Sequence, residues 1–111
     1  MYVGPDTLIN VKITGTFKVE DTSDDDYVGF VFGFHETWDY AWSTGQNTMN
    51  HEYYLFDWKK NGQTYSGYTA LEGFSLDKVD GTFTRNNAGT FPSFWVHTNS
   101  TNFQVLQTQY S

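Results

Sequence analysis

Three consecutive carboxylates, Asp24, Asp25 and Asp26, fall in one polar stretch, Asp21-Thr22-Ser23-Asp24-Asp25-Asp26. Clustered acidic oxygens suit a hard cation such as calcium (Ca2+), which takes roughly six to eight oxygen ligands from carboxylates, backbone carbonyls and water. Neighbouring side chains cannot all face one ion. Two of the three, with carbonyls, are the expected ligands, and Glu36, Asp39 or Asp57 can approach from neighbouring segments. The same residues also read as a solvated turn whose carboxylates cap local N–H groups.

A second group has a different character. Trp38, Tyr40 and Trp42 alternate along the chain, beside Glu36, Asp39 and Asn47. Sugar binding needs flat apolar ring faces for C–H contacts and a few carboxylate or amide groups for hydroxyls. This segment holds both. The competing reading is that the rings fold back over a sheet edge or pack against a partner segment.

Other chemistry is thinly supported. His35, His51 and His97 show no metal-ligand spacing and read as hydrogen-bonded loop or strand residues. There is no phosphate-cradling glycine loop, nucleophile elbow or Cys–His pair. Glycoside hydrolysis needs two carboxyl groups about 5–5.5 Å or about 6.5–9.5 Å apart across a cleft. Glu36 and Asp39 are three residues apart, so a regular strand sends them to opposite faces, and Glu52 and Asp57, five apart, have the same problem. The sequence therefore points away from an enzyme.

The elements that must position these groups read as strands. Residues 9–20 alternate, with Ile9, Val11, Ile13, Phe17 and Val19 apolar and lysines, threonines and Glu20 between them; period two predicts a strand with one wet face. Residues 27–34 are apolar at nearly every position, as in a central buried strand. From 35 to 52, HETWDYAWSTGQNTMNHE, no period survives, which predicts a long irregular connection of the kind that carries function. Residues 53–58 form a second buried strand, closed by the Asn61-Gly62 turn signal. Residues 65–76 are a weaker strand broken by Gly67 and Gly73, Asp80-Gly81 turns the chain, and 94–98 and 103–110 are two further short strands. The pattern is all-β and sandwich-like, with no amphipathic helix.

Composition agrees. The 111 residues suffice for one domain, 1–111, and there is no cysteine for a disulfide or thiolate site. Aromatics reach 20%, so rings must supply much of the core volume. Lys and Arg number 6 against 13 Asp and Glu, a net charge of −7 that opposes binding to nucleic acid and anionic membranes. No window approaches a transmembrane span, so membrane insertion is not expected. Two buried strands need neighbours and a facing sheet, so the chain is expected to be part of a larger sheet domain.

Thr14-Gly15-Thr16-Phe17, then Asp24-Asp25-Asp26-Tyr27-Val28-Gly29-Phe30-Val31-Phe32-Gly33-Phe34, then Tyr54-Leu55-Phe56-Asp57-Trp58-Lys59-Lys60 resemble the thrombospondin C-terminal lectin-like domain. Weaker echoes follow at 73–79 and 94–99. Domains of this family occur in animal thrombospondins and in large bacterial adhesin-type surface proteins. The resemblance implies a concanavalin-like jelly roll of two antiparallel sheets, bound calcium and a secreted or cell-surface location. It also implies a domain nearly twice this length, so that 1–111 corresponds to its N-terminal half, continued or split beyond residue 111. The segment 35–52 is longer and richer in tryptophan than in the thrombospondins, and their cell-binding functions do not transfer. The leading expectation is an extracellular, calcium-binding, lectin-like adhesion module. Its partners would be a carbohydrate or cell surface, together with the complementary half or adjacent domains, or an inserted binding domain for which it is the scaffold. The alternatives are a purely structural module and a secreted hydrolase-like jelly roll.

Overall fold

A computed structural model describes residues 9–20, 23, 26–41, 43–82 and 90–111, with the side chains of 41, 46–48 and 90–91 outside the description. The elements are β1 (Val28–Ala41), β2 (Gln46–Lys59), β3 (Gln63–Tyr65), β4 (Tyr68–Ala70), β5 (Gly73–Gly81), a short helix α1 (Thr90–Val96) and β6 (Phe103–Tyr110). β1, β2, β5 and β6 form one antiparallel sheet in that order, and β3 and β4 form a two-stranded ribbon. The expected all-β, antiparallel class is what the structure has.

The longest ladder is the β1–β2 hairpin, paired from Val28↔Trp58 to Ala41↔Gln46 with a register shift between Phe32 and His35. β5 pairs with β2 only between His51↔Gly81 and Lys59↔Gly73. The hairpin therefore continues past the end of β5 as a two-stranded arm. This corrects the expectation of an irregular connection over 35–52. A two-stranded arm beyond the sheet is wet on both faces, so its strands need no apolar–polar alternation and leave no period to detect.

Three other expectations change. Residues 27–34 were expected in a central buried strand, yet among the described residues β1 stands at the edge of the sheet, with Phe30 54% and Phe32 48% exposed. Residues 9–20, expected as a strand, form no regular element, and Asn10 is left-handed at φ 57°, with Ile9 and Ile13 more than 70% exposed. Phe17 nevertheless reaches the sheet, its ring 5.5 Å from Phe30 and 5.8 Å from Trp58. Residues 94–98, expected as a strand, lie largely in α1, whose Pro92 sits in the first turn, where a missing N–H costs little. A short apolar run such as Phe94-Trp95-Val96 cannot be assigned by period alone.

The sheet has two unlike faces. One carries Val28, Phe30 and Phe32 of β1, Tyr54, Phe56 and Trp58 of β2, and Phe74 and Leu76 of β5, since partners in the ladder share a face. Its rings stack across strands, Phe32 on Tyr54 at 5.5 Å and Phe56 on Phe74 at 5.7 Å. The opposite face lies under α1 and the residues after it. There Asp57 and Lys59 of β2, Ser75, Asp77 and Val79 of β5, Phe103 of β6 and His97 are all buried, and Phe103 packs edge-on against Phe94 at 4.7 Å.

Candidate functional site

Of the expected calcium ligands, Asp24 and Asp25 lie outside the described residues. Asp26 is described, exposed, two residues before β1. Among the expected sugar contacts, Trp42 and the side chain of Asn47 lie outside the description. The register divides the rest between the two faces of the arm. Glu36, Trp38 and Tyr40 share one face and pair across the ladder with His51, Met49 and Asn47. Trp38 is 64% exposed and Tyr40 50% exposed. Glu36 Oε1 lies 3.5 Å from His51 Nδ1. Asp39 points to the other face and accepts from the amide of Asn50, whose own oxygen accepts from the Thr82 hydroxyl. The structure thus brings Glu36, Trp38 and Tyr40 together and separates Asp39 from them.

The densest chemistry lies elsewhere, on the covered face, in residues that sequence spacing did not connect. His97 follows α1 in the left-handed conformation, φ 49°, which ends the helix while Thr98 N–H bonds the Ser93 carbonyl at 3.2 Å. A histidine here carries a backbone cost that glycine would not. In exchange its ring is driven under the sheet. His97 Nε2 lies 3.1 Å from Asp57 Oδ1, 3.3 Å from Asp57 Oδ2 and 3.9 Å from Asp77 Oδ2. On the far side of the ring, Nδ1 shares a hydrogen bond of 2.9 Å with the Tyr110 hydroxyl. Ser75 donates to Asp77 Oδ1 at 2.8 Å. The side chains of His97, Asp57 and Asp77 are only 1%, 7% and 0% exposed.

Strand alternation explains the convergence. Asp57 and Lys59 are two apart on β2, Ser75 and Asp77 two apart on β5, and the pair Asp57↔Ser75 sets them side by side. Aromatic rings close the group. Tyr27 lies edge-on to His97 at 5.0 Å and to Trp95 at 5.7 Å, and donates its hydroxyl to the Trp95 carbonyl at 2.9 Å. The buried Lys59 ammonium sits 5.1 Å from the Tyr27 ring and 4.7 Å from the Trp95 ring, and donates to Gln63 Oε1 at 3.0 Å.

The electrostatics are those of a negative site removed from water. Burial pushes the Asp77 carboxyl up to about 6, with the Asp57 charge adding to the push and the Ser75 hydroxyl and His97 opposing it. Burial, then the charges of Asp57, Tyr110 and Asp77, raises the Tyr27 phenol. Burial, then Asp77 and Asp57, raises that of Tyr110. The group is enclosed, with both carboxylates and the imidazole shut off from solvent. The signal in the sequence was Asp57 inside the apolar run Tyr54-Leu55-Phe56-Asp57-Trp58, with nothing comparable at Asp77, which lies in the mixed segment Phe74-Ser75-Leu76-Asp77-Lys78-Val79.

Among the described residues no helix is long and apolar enough to cross a membrane. No solved structure matches the chain. It is 33% identical over 108 residues to thrombospondin-2 of Mus musculus, covering 93% of this chain and 8% of that protein. It is 29% identical over 107 residues to thrombospondin-4-B of Danio rerio, covering 93% of this chain and 10% of that protein. The chain thus spans about a tenth of the length of these relatives. The family profile of the thrombospondin C-terminal region matches residues 1–107, nearly the whole chain, and the chain belongs to that family.

Proposed function

We propose that this chain is part of an extracellular, calcium-binding, lectin-like module that does no catalysis and binds carbohydrate on a polysaccharide or cell surface. One observation carries the reading: Trp38 and Tyr40 stand exposed on one face of the β1–β2 arm, beyond the sheet, with the Glu36 carboxylate beside them. Two flat rings two residues apart offer a shallow platform for adjacent sugar units, and a carboxylate at its end can hold hydroxyls. Calcium belongs to the acidic turn that contains Asp26, a family expectation supported by three adjacent carboxylates.

The test is retention on immobilised polysaccharides in calcium and in EDTA. Retention that disappears in Trp38→Ala supports the platform. A panel of polysaccharides that never retains the wild type overturns it. Chelation should lower the melting temperature of the wild type and not that of Asp26→Ala, because an ion that binds only the folded state stabilises it by mass action.

A second reading, a structural module, is favoured by the open aromatic face. Val28, Phe30, Phe32, Tyr54 and Phe74 are all at least 38% exposed on one side of the sheet. A continuous apolar sheet face of this kind is a packing surface. Its occupant in this reading is a second β-sheet of the same protein, packed about 10 Å away as in other sandwiches. Co-expression with the polypeptide that follows residue 111 should bring these rings out of reach of a fluorescent apolar dye. Dye binding that persists undiminished removes this reading.

A further inference from the structure

We propose that Asp57, Asp77 and His97 form a structural binding site for one divalent transition-metal ion of the zinc class, joining the sheet to the segment that follows α1. The three residues each present one donor atom, and these atoms lie within 4.8 Å of one another. Zinc binds imidazole nitrogen and carboxylate oxygen at about 2.0–2.2 Å, so tetrahedral donors stand roughly 3.3–3.6 Å apart. The distances from His97 Nε2, 3.1 Å to Asp57 Oδ1 and 3.9 Å to Asp77 Oδ2, bracket that separation. Small side-chain shifts seat an ion between them.

The second observation is independent of the clustering. Asp57 Oδ1 and Asp77 Oδ2 are buried and accept no hydrogen bond, although both carboxylates are nine-tenths or more buried. Buried polar oxygens in native proteins almost always have partners. Here both orphaned oxygens are turned toward one ring nitrogen. A single proton on Nε2 can serve one carboxylate, and then leaves a second negative charge beside it in a low dielectric. A dication neutralises both and uses all three donors at once.

The surrounding shell matches what metal ligands require. A ligating histidine commonly bonds through its other ring nitrogen, which fixes the tautomer, and His97 Nδ1 is held by the Tyr110 hydroxyl. A ligating carboxylate is usually hydrogen-bonded at its free oxygen, and Ser75 holds Asp77 Oδ1. Asp57 Oδ2, at 3.3 Å from Nε2, allows that carboxylate to bind through both oxygens. The imidazole donor selects the metal class, because calcium prefers an all-oxygen shell of roughly six to eight ligands. The ligands come from β2, from β5 and from the residue after α1, so bound metal ties together segments far apart in the chain. Its binding energy adds to folding energy.

The test uses the chelated wild-type chain titrated with zinc and, as a spectroscopic probe, with cobalt(II). The expected result is uptake of one equivalent, a rise in melting temperature, and a cobalt visible spectrum of tetrahedral nitrogen–oxygen type. Paramagnetically shifted protons from a single imidazole, including its Nδ1–H, should accompany the spectrum. Asp77→Asn and His97→Gln should each weaken uptake by at least about tenfold, whereas His51→Ala should leave it unchanged. The cobalt spectrum and shifted imidazole protons of the wild type decide the matter even where a variant fails to fold. Absence of uptake by the wild type overturns the proposal. So does uptake lost in His51→Ala, which would place the ion at the Glu36–His51 pair, or displacement of zinc by an equal concentration of calcium.

Discussion

Four glycines separate two sources of destabilisation, and one of them reports on the buried site. At Gly29, an added Cβ would collide with the Phe56 carbonyl oxygen and stand 2.8 Å from Asp57 Cβ, with no left-handed backbone involved. At Gly67 the backbone is left-handed, φ +82°, and the space is open. At Gly73 both apply: φ is +133°, the Cβ would collide with the Gln109 carbonyl, and Tyr110 Cα lies 2.8 Å away. Gly15 has neither. Overpacking typically costs about 1–3 kcal/mol. A side chain forced into left-handed backbone costs about 1–3 kcal/mol. Gly67→Ala should therefore lose about 1–2 kcal/mol, Gly29→Ala about 2–3 kcal/mol, and Gly73→Ala about 4 kcal/mol. Gly15→Ala should be neutral or gain up to about 0.5 kcal/mol through the unfolded chain. Urea denaturation at constant m-value measures all four. Gly29 pairs with Asp57 in the ladder, so its substitution pushes on a proposed ligand, and zinc uptake should weaken in Gly29→Ala but not in Gly67→Ala. A Gly73→Ala protein no less stable than Gly67→Ala would refute the additive reasoning. A Gly29→Ala protein of wild-type stability would refute the close approach of β1 to β2.

The remaining predictions test the arm and the covered face. Trp38→Ala should change stability by less than about 0.5 kcal/mol, because the ring is mostly exposed, and a larger loss in urea titration would make the arm structural. Tyr110→Phe should cost about 1 kcal/mol in thermal or chemical denaturation and weaken zinc binding about tenfold by releasing His97 Nδ1; unchanged zinc affinity would remove Tyr110 from the shell. In chelator, the Asp77 carboxyl, raised from its ordinary 3.8 to about 6, holds its proton more tightly in the folded chain. Its contribution to stability is then complete below about pH 4 and lost as pH rises through about 6. The stability of the wild type relative to Asp77→Asn should fall over that window, and a flat difference would contradict the shift.

How far the fold was legible depended on what each segment packs against. Residues 53–58 read as a strand because β2 has sheet neighbours on both sides, so aromatic residues dominate it, while 103–110, paired on one side only, reads as one through its aromatic and β-branched Phe103, Val105, Thr108 and Tyr110. The arm did not, because both of its faces are wet. Residues 9–20 alternate as a strand should, yet they have no ladder partner among the described residues; the period reports a propensity, not the presence of a neighbour. The helix was hidden by an aromatic run that serves either element. The buried triad was illegible for another reason: its members are 20 residues apart, on β2, on β5 and after α1, and only the ladder register and the left-handed turn at His97 bring them together. What the sequence did carry was the oddity of an aspartate inside the apolar run 54–58.

That oddity inverts the usual arrangement of a half-covered sheet. The face that the chain covers with its own helix segment is the one bearing two aspartates, a lysine, a serine and a histidine, and the face left open is the one bearing stacked rings. Burying charges ahead of rings makes little sense if the only driving force is removal of apolar area from water. It follows directly if each face meets a further partner of its own chemistry, a second sheet on the rings and a cation between the carboxylates. Lys59, enclosed by Tyr27 and Trp95 and bonded to Gln63, belongs to the same economy of charge, since it places one positive group on a face that otherwise carries two negative ones. What is left to place is a cation between the two carboxylates: stripping the ion with chelator should lower the melting temperature of the wild type more than that of Asp77→Asn, and equal responses would leave the covered face with no cation of its own.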